Sequence, residues 1–191
     1  MAKQYRNHLR PGHPAPAIST RDVFGNKLSL KTLNSRYILL VFFRYAGCPW
    51  CNLALHRLSL EYQTLKDHGC EVITFLQSDS PDIIENVYER HAQKPQFAIV
   101  ADPERQHYQR YGVSNSLRAG LSSLKHIPIW AHSVRQHGFA QKKVDGNLFL
   151  VPASFLIDGR TNTIIQTSYG ASYYDTEAFM DIYQSVFYKE L

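Results

Sequence analysis

The apolar run Tyr37-Ile38-Leu39-Leu40-Val41-Phe42-Phe43 stops just short of Cys48-Pro49-Trp50-Cys51, and a helical pattern follows at once. This unit constrains the fold more than any other part of the chain. An unbroken apolar run of strand length predicts a strand buried on both faces, and so a sheet covered on both sides. The downstream helix, expected from about Pro49 to His68, carries Leu55, Leu58, Tyr62 and Leu65 as an inner stripe and stops at Gly69.

The same unit constrains the chemistry. A helix N-terminus presents unpaired N–H groups and the positive end of the dipole, which favour thiolate over thiol. A cysteine so placed loses its proton in the range of about 3.5 to 7.5. Cys48 is therefore the expected nucleophile, ionised and open to solvent. Cys51, about one turn inside and more buried, is the expected resolving thiol. Pro49 suits the first helical position and fixes the turn. Trp50 offers an apolar face for docking a partner protein, or packs on the insertion at 114–147.

Further strands are expected at Val72–Leu76, Gln96–Ala101, Phe149–Asp158 and Thr163–Ser168, the last two joined at Asp158-Gly159-Arg160. Short helices are expected from Ser80, with that serine as cap, and over Glu104–Tyr111. A last helix starts at Asp175 and carries Phe179, Ile182, Tyr183 and Val186. Ile18–Leu30 turns at Phe24-Gly25-Asn26 and reads as a hairpin. Residues 1–16, with Pro11, Pro14 and Pro16, read as a flexible arm. Residues 17–191 read as a single domain with an insertion at 114–147. Strand–helix alternation followed by a hairpin gives an α/β fold with a mixed central sheet flanked by helices.

Composition excludes several classes. The 191 residues are 44% hydrophobic and 19% charged, which suits a folded domain rather than a disordered chain. No apolar run is long enough to span a bilayer, and Met1–Pro16 lacks the apolar centre of a signal peptide, so a cytoplasmic location is expected and no membrane partner. Much of the +5 formal charge falls in the insertion, where five Lys/Arg (Arg118, Lys125, Arg135, Lys142, Lys143) face one acid, Asp145. These residues are dispersed and have little aromatic interleaving, so a solvated basic face or a surface for an acidic partner is expected rather than nucleic-acid binding. A structural zinc site needs four ligands, and the third cysteine, Cys70, falls at the opposite end of the sheet. His126, His132 and His137 fit no ligand spacing, and His56 reads as an ordinary surface or packing histidine. No metal and no cofactor are expected.

Phe42-Phe43-Arg44-Tyr45-Ala46-Gly47-Cys48-Pro49-Trp50-Cys51 resembles the active-site segment of peroxiredoxin-like proteins of the alkyl hydroperoxide reductase/thiol-specific antioxidant (AhpC/TSA) group. Asp102-Pro103-Glu104-Arg105 with Tyr111-Gly112-Val113, and Val151-Pro152-Ala153-Ser154-Phe155-Leu156-Ile157-Asp158-Gly159, resemble two later segments of that group. The resemblance implies a thioredoxin-like fold with an N-terminal hairpin, the insertion preceding a cis-proline strand. It also implies a peroxide or protein-disulfide substrate, a thioredoxin- or glutathione-type reductant, and association into homodimers. The chain departs from the pattern in instructive places. Val41 and Tyr45 stand where relatives carry proline and threonine or serine. Pro152 stands where they carry an arginine. The thioredoxin counterpart of that proline is cis and leaves the edge at Val151 free to bond a substrate backbone. Arg44 either replaces the missing arginine or forms a structural ion pair.

These readings converge on a thiol–disulfide oxidoreductase using Cys48 and Cys51, with peroxide reduction as a further activity. The alternative is a non-enzymatic redox-sensing or partner-binding module. The topology also places the insertion at the thiol end of the sheet, as a basic flap that selects substrate or shields the disulfide.

Overall fold

A computed structural model of the chain describes residues 8–116, 138–171, 179, 181 and 182. Its elements are β1 (Ser19–Arg21), β2 (Lys27–Ser29), β3 (Tyr37–Phe42), α1 (Pro49–Asp67), β4 (Cys70–Leu76) and α2 (Ser80–Ile83), which runs into a π-helical turn at Ile84–Tyr88. Next come β5 (Ala98–Ala101), α3 (Gln106–Arg110), β6 (Ala153–Asp158) and β7 (Thr163–Tyr169).

The central sheet has the order β5-β4-β3-β6-β7. β3 is its middle strand, parallel to β4 and antiparallel to β6. The alternation of side chains across a strand explains the unbroken apolar run. Leu39, Val41 and Phe43 face one core with Leu55, Leu58, Tyr62 and Leu65 of α1, while Ile38, Leu40 and Phe42 face a second core with Tyr108 and Tyr111. This is the covered mixed sheet of the thioredoxin-like class. Phe179 and Ile182 are buried in the α1 core; Tyr183 and Val186 of the expected last helix lie outside the described residues, as do His126, His132 and His137.

α1 ends as expected: Gly69 takes a positive φ of 73° and donates its N–H to the Lys66 carbonyl. Cys70 pairs with Tyr37 at the start of β3, so it lies at the end of the sheet away from Cys48. Burial pushes its thiol up to about 12.

Two local expectations are corrected. The cap of α2 is Asp79, not Ser80: its Oδ1 accepts from the Asp82 N–H at 3.0 Å. Residues 8–16 are not a loose arm. Gly12 and Ala15 donate to the carbonyls of Ile164 and Asn162, Ile164 donates to His13, and Ala15 is buried. The three prolines remove donors but leave these alternate groups free to pair along the edge of β7.

Candidate active site

Cys48 is the N-cap of α1, in an extended conformation (φ −75°, ψ 121°) that turns its side chain back over the helix start. Its Sγ accepts from the Cys51 N–H at 3.4 Å and from Arg44 Nη2 at 3.0 Å. Arg44 leaves the sheet just after β3 and is buried, with Nη1 reaching the Leu148 carbonyl at 3.4 Å. Arg44 is thus in hydrogen-bond contact with the thiol.

Burial alone raises the Cys48 thiol. The hydrogen bond from Cys51, the Arg44 charge and the N–H groups of Cys51 and Trp50 outweigh it and bring proton loss down to about 6. Cys51 moves the other way: burial, its hydrogen bond to Cys48 and the Cys48 charge hold it well above the ordinary cysteine value. One sulfur is poised to be ionised and its neighbour to keep a proton. No disulfide joins Cys48, Cys51 or Cys70, and the described residues include no cluster of three or more His, Cys, Asp or Glu able to hold a metal ion.

The turn before the helix is pinned from several sides. Cys48 N–H reaches the Tyr45 carbonyl at 3.2 Å, and Ala46 N–H reaches Ser78 Oγ at 2.7 Å. The Asn52 amide nitrogen donates to the carbonyls of Ala46 at 2.6 Å and Cys48 at 3.0 Å. The remaining carbonyl, Gly47, accepts from the Lys142 N–H at 3.0 Å.

That last bond belongs to a strap formed by residues 138–148. Cys48 was expected to be open to solvent; its exposure is 0%. The strap is held against the turn that carries Cys48 by several contacts. Arg90 Nη2 grips the carbonyls of Gly138 and Ala140 at 3.0 Å each, and Lys143 Nζ meets Asp82 at 2.8 Å. Asn147 N–H donates to Gln77 Oε1 at 2.9 Å, and Tyr45 Oη donates to Gln141 Oε1 at 3.2 Å. Glycine stands on both sides of the contact. A methyl group at Gly47 would strike the Lys143 carbonyl, and one at Gly146 would come within 2.9 Å of Tyr45 Cβ. The flap expected from the topology therefore does lie at the thiol end, over the residues the structure describes.

Trp50 is partly buried and packs on the α1 core, so much of its surface serves the fold. Pro49 is buried at the first helical position. Val151 and Pro152 depart from the thioredoxin arrangement. Every described peptide bond is trans, and the Val151 N–H is already bonded to the Ser114 carbonyl at 3.2 Å. Pro152 in turn accepts from Gly170 N–H at 2.9 Å. The Val151 N–H that a substrate backbone was expected to meet is thus occupied within the chain.

Asn52, His91, Phe139 and Gly146 escaped the sequence reading, which named Gly47 only as part of the Phe42–Cys51 segment. Asn52, four residues after Cys48, had a local signal in its helical spacing. His91 is 39 residues from its partner Asn52 and had none.

Residues 11–166 match the AhpC/TSA family, and the chain belongs to it. Two proteins of Mycobacterium tuberculosis, from strains CDC 1551/Oshkosh and ATCC 25618/H37Rv, are each named as a candidate peroxiredoxin. Each is 27% identical over 104 residues, 54% of this chain and 64% of theirs. The match thus spans less than two thirds of those relatives. Peroxidoxin BcpB from Mycobacterium tuberculosis is similar in structure, with a TM-score of 0.67 at 12% identity, covering 93% of this chain and 96% of that one. A protein described as a candidate thiol:disulfide interchange protein, DsbE, from Chlorobium tepidum gives 0.61 at 18% identity, covering 93% and 97%. At these identities the two structures establish the shared fold. Among the described residues, no helix is long and apolar enough to cross a membrane.

Proposed function

We propose that the protein is a thiol-dependent peroxidase in which Cys48 is the nucleophile, Cys51 the resolving thiol and Arg44 the charge partner of both thiolate and oxidant. One observation carries this reading: Cys48 Sγ sits within 3.0 Å of a buried guanidinium and over a helix N-terminus, beside a thiol that keeps its proton. The Cys48 thiolate attacks the outer oxygen of a hydroperoxide. The S–O bond forms, the O–O bond breaks, and the alcohol or water leaves with a proton. Cys51 then attacks the sulfenic sulfur, an S–S bond forms, and water departs. An external dithiol returns both cysteines to the reduced state.

The closed edge at Val151 and the strap over Cys48 favour a small hydroperoxide over a protein disulfide, which needs a backbone edge to dock. The cytoplasmic location and the homodimer remain part of the proposal by analogy with the family. Stopped-flow oxidation of the reduced protein by hydrogen peroxide, and separately by a disulfide, tests the reading. The expected result is a peroxide rate far above that of a free thiolate, abolished in Cys48→Ser. In Cys51→Ser, oxidation stops at a sulfenic acid that dimedone traps. A peroxide rate equal to that of a free thiolate sinks the proposal. Stoichiometric oxidation without turnover, with altered partner affinity, would instead support the redox-sensing module.

A further inference from the structure

Asn52 is fully buried, and each of its side-chain groups has a partner. Its amide nitrogen faces two carbonyl oxygens, those of Ala46 and Cys48, so that end must be the NH2 donor. Its oxygen then faces His91 Nε2 at 2.8 Å, which makes Nε2 the protonated nitrogen of that ring. His91 is 3% exposed, and its other nitrogen, Nδ1, has no hydrogen-bond partner. A ring that needed only to fill space here would be apolar. The polar contact it does make is aimed at Asn52.

We infer that Asn52 and His91 form a positioning pair for Cys48, in which His91 fixes the orientation of the Asn52 amide and that amide holds the two carbonyls flanking Gly47. The inference rests on the reading of Cys48 as the nucleophile. The 3.0 Å and 3.4 Å contacts at Cys48 Sγ require the turn backbone to stay where it is. Without the NH2 group, the Ala46 carbonyl is left buried without that donor, and rotation of the Ala46–Gly47 peptide is the simplest relief. Rotation there moves the cap residue away from Arg44 and the Cys51 N–H.

His91 acts without charge. Burial first, then the neighbouring His56 and Arg90, lower its proton loss to about 4, so it is neutral where Cys48 titrates. The charged or titratable groups facing it are Arg90 and His56, and its ring stacks on Phe139 of the strap at 4.6 Å. Those facing Cys48 are Arg44, Cys51 and Tyr45. Removing His91 therefore removes no charge from the thiol.

The test is the ultraviolet thiolate titration of the reduced full chain, with Cys48→Ser subtracted, for wild type, His91→Phe, His91→Gln and Asn52→Leu. In His91→Phe, Cys48 proton loss should rise by about one unit, a tenfold loss of thiolate at a pH below both values. His91→Gln, which restores an N–H donor, should return it toward wild type. Asn52→Leu should match or exceed His91→Phe; if it does not fold, the two His91 variants decide. Folded His91→Phe with a wild-type titration overturns the pair, as does His91→Gln shifting the thiol as far as His91→Phe. A wild-type Cys48 that titrates like free cysteine instead overturns the reading of Cys48, which keeps the two failures apart.

Discussion

Gly47→Ala is a steric lever on a single contact. The backbone at Gly47 has no positive φ, so alanine is not strained there, yet its methyl group would strike the Lys143 carbonyl and come within 3.0 Å of the Lys142 carbonyl carbon. The strap must retreat or the turn must deform. Overpacking of this kind costs about 1–3 kcal/mol. Against it stands the middle of the strap, held by one backbone hydrogen bond (Lys142 to Gly47), two side-chain hydrogen bonds (Asn147 to Gln77 and Tyr45 to Gln141) and an exposed ion pair (Lys143–Asp82). The hydrogen bonds contribute about 0.5–1.5 kcal/mol each and the ion pair about 0–1 kcal/mol. The two sides are comparable, so the open form should gain about 5- to 150-fold in population. Modification of Cys48 by a bulky thiol reagent requires that open form, and its rate should rise by the same factor, with a smaller rise for a small reagent. Gly146→Ala presses on the same contact from the strap side, against Tyr45 and Gln77, and should act in the same direction. An unchanged or slower rate in both variants, with the fold intact, would show that the strap does not control access to the thiol.

Arg44→Met should raise Cys48 proton loss by about one unit or more, because it removes a positive charge in contact with the sulfur; thiolate absorbance against pH checks this. Cys48 has its proton loss lowered on folding to about 6, so the ionised form favours the folded state. Its contribution is complete above the unfolded cysteine value and is lost as pH falls through 6; the reduced wild type should therefore gain stability from about pH 6 to 9, by at most about 4 kcal/mol, and Cys48→Ser should lose that slope in urea titrations. Leu58→Ala removes a fully buried side chain between α1 and the sheet; it should cost about 2–5 kcal/mol and lower the melting temperature without moving the Cys48 titration.

The legible part of this molecule is the part whose partners are near in sequence or share a period. The run through Phe43 announced a central strand because both of its faces meet a core, and the stripe Leu55, Leu58, Tyr62 and Leu65 announced the helix that covers one of them. Cys48 and Cys51 were legible because a helix cap and the residue three places on must be neighbours. Arg44 was legible as a candidate but not as a partner, since the rotation of a long side chain depends on what closes over it. The expected free edge at Val151 failed for a related reason: Ser114 lies at the other end of an insertion, and local pattern does not reveal which strand edge an insertion will occupy.

The strap changes what a low-pKa thiol means here. A helix N-terminus lowers the proton affinity of a cysteine even in open solvent, but water screens the effect. With Cys48 covered, the guanidinium and N–H groups act at short range in a poorly screened site, and the same burial holds Cys51 protonated. Burial penalises the thiolate as well, so the arrangement works only because the stabilising donors are fixed before ionisation. The glycines that allow close cover and the Asn52–His91 contact that fixes the turn thus serve one electrostatic end. If the Gly47→Ala strap opens and Cys48 nonetheless keeps its low proton affinity, helix and arginine suffice without cover, and the strap governs access alone.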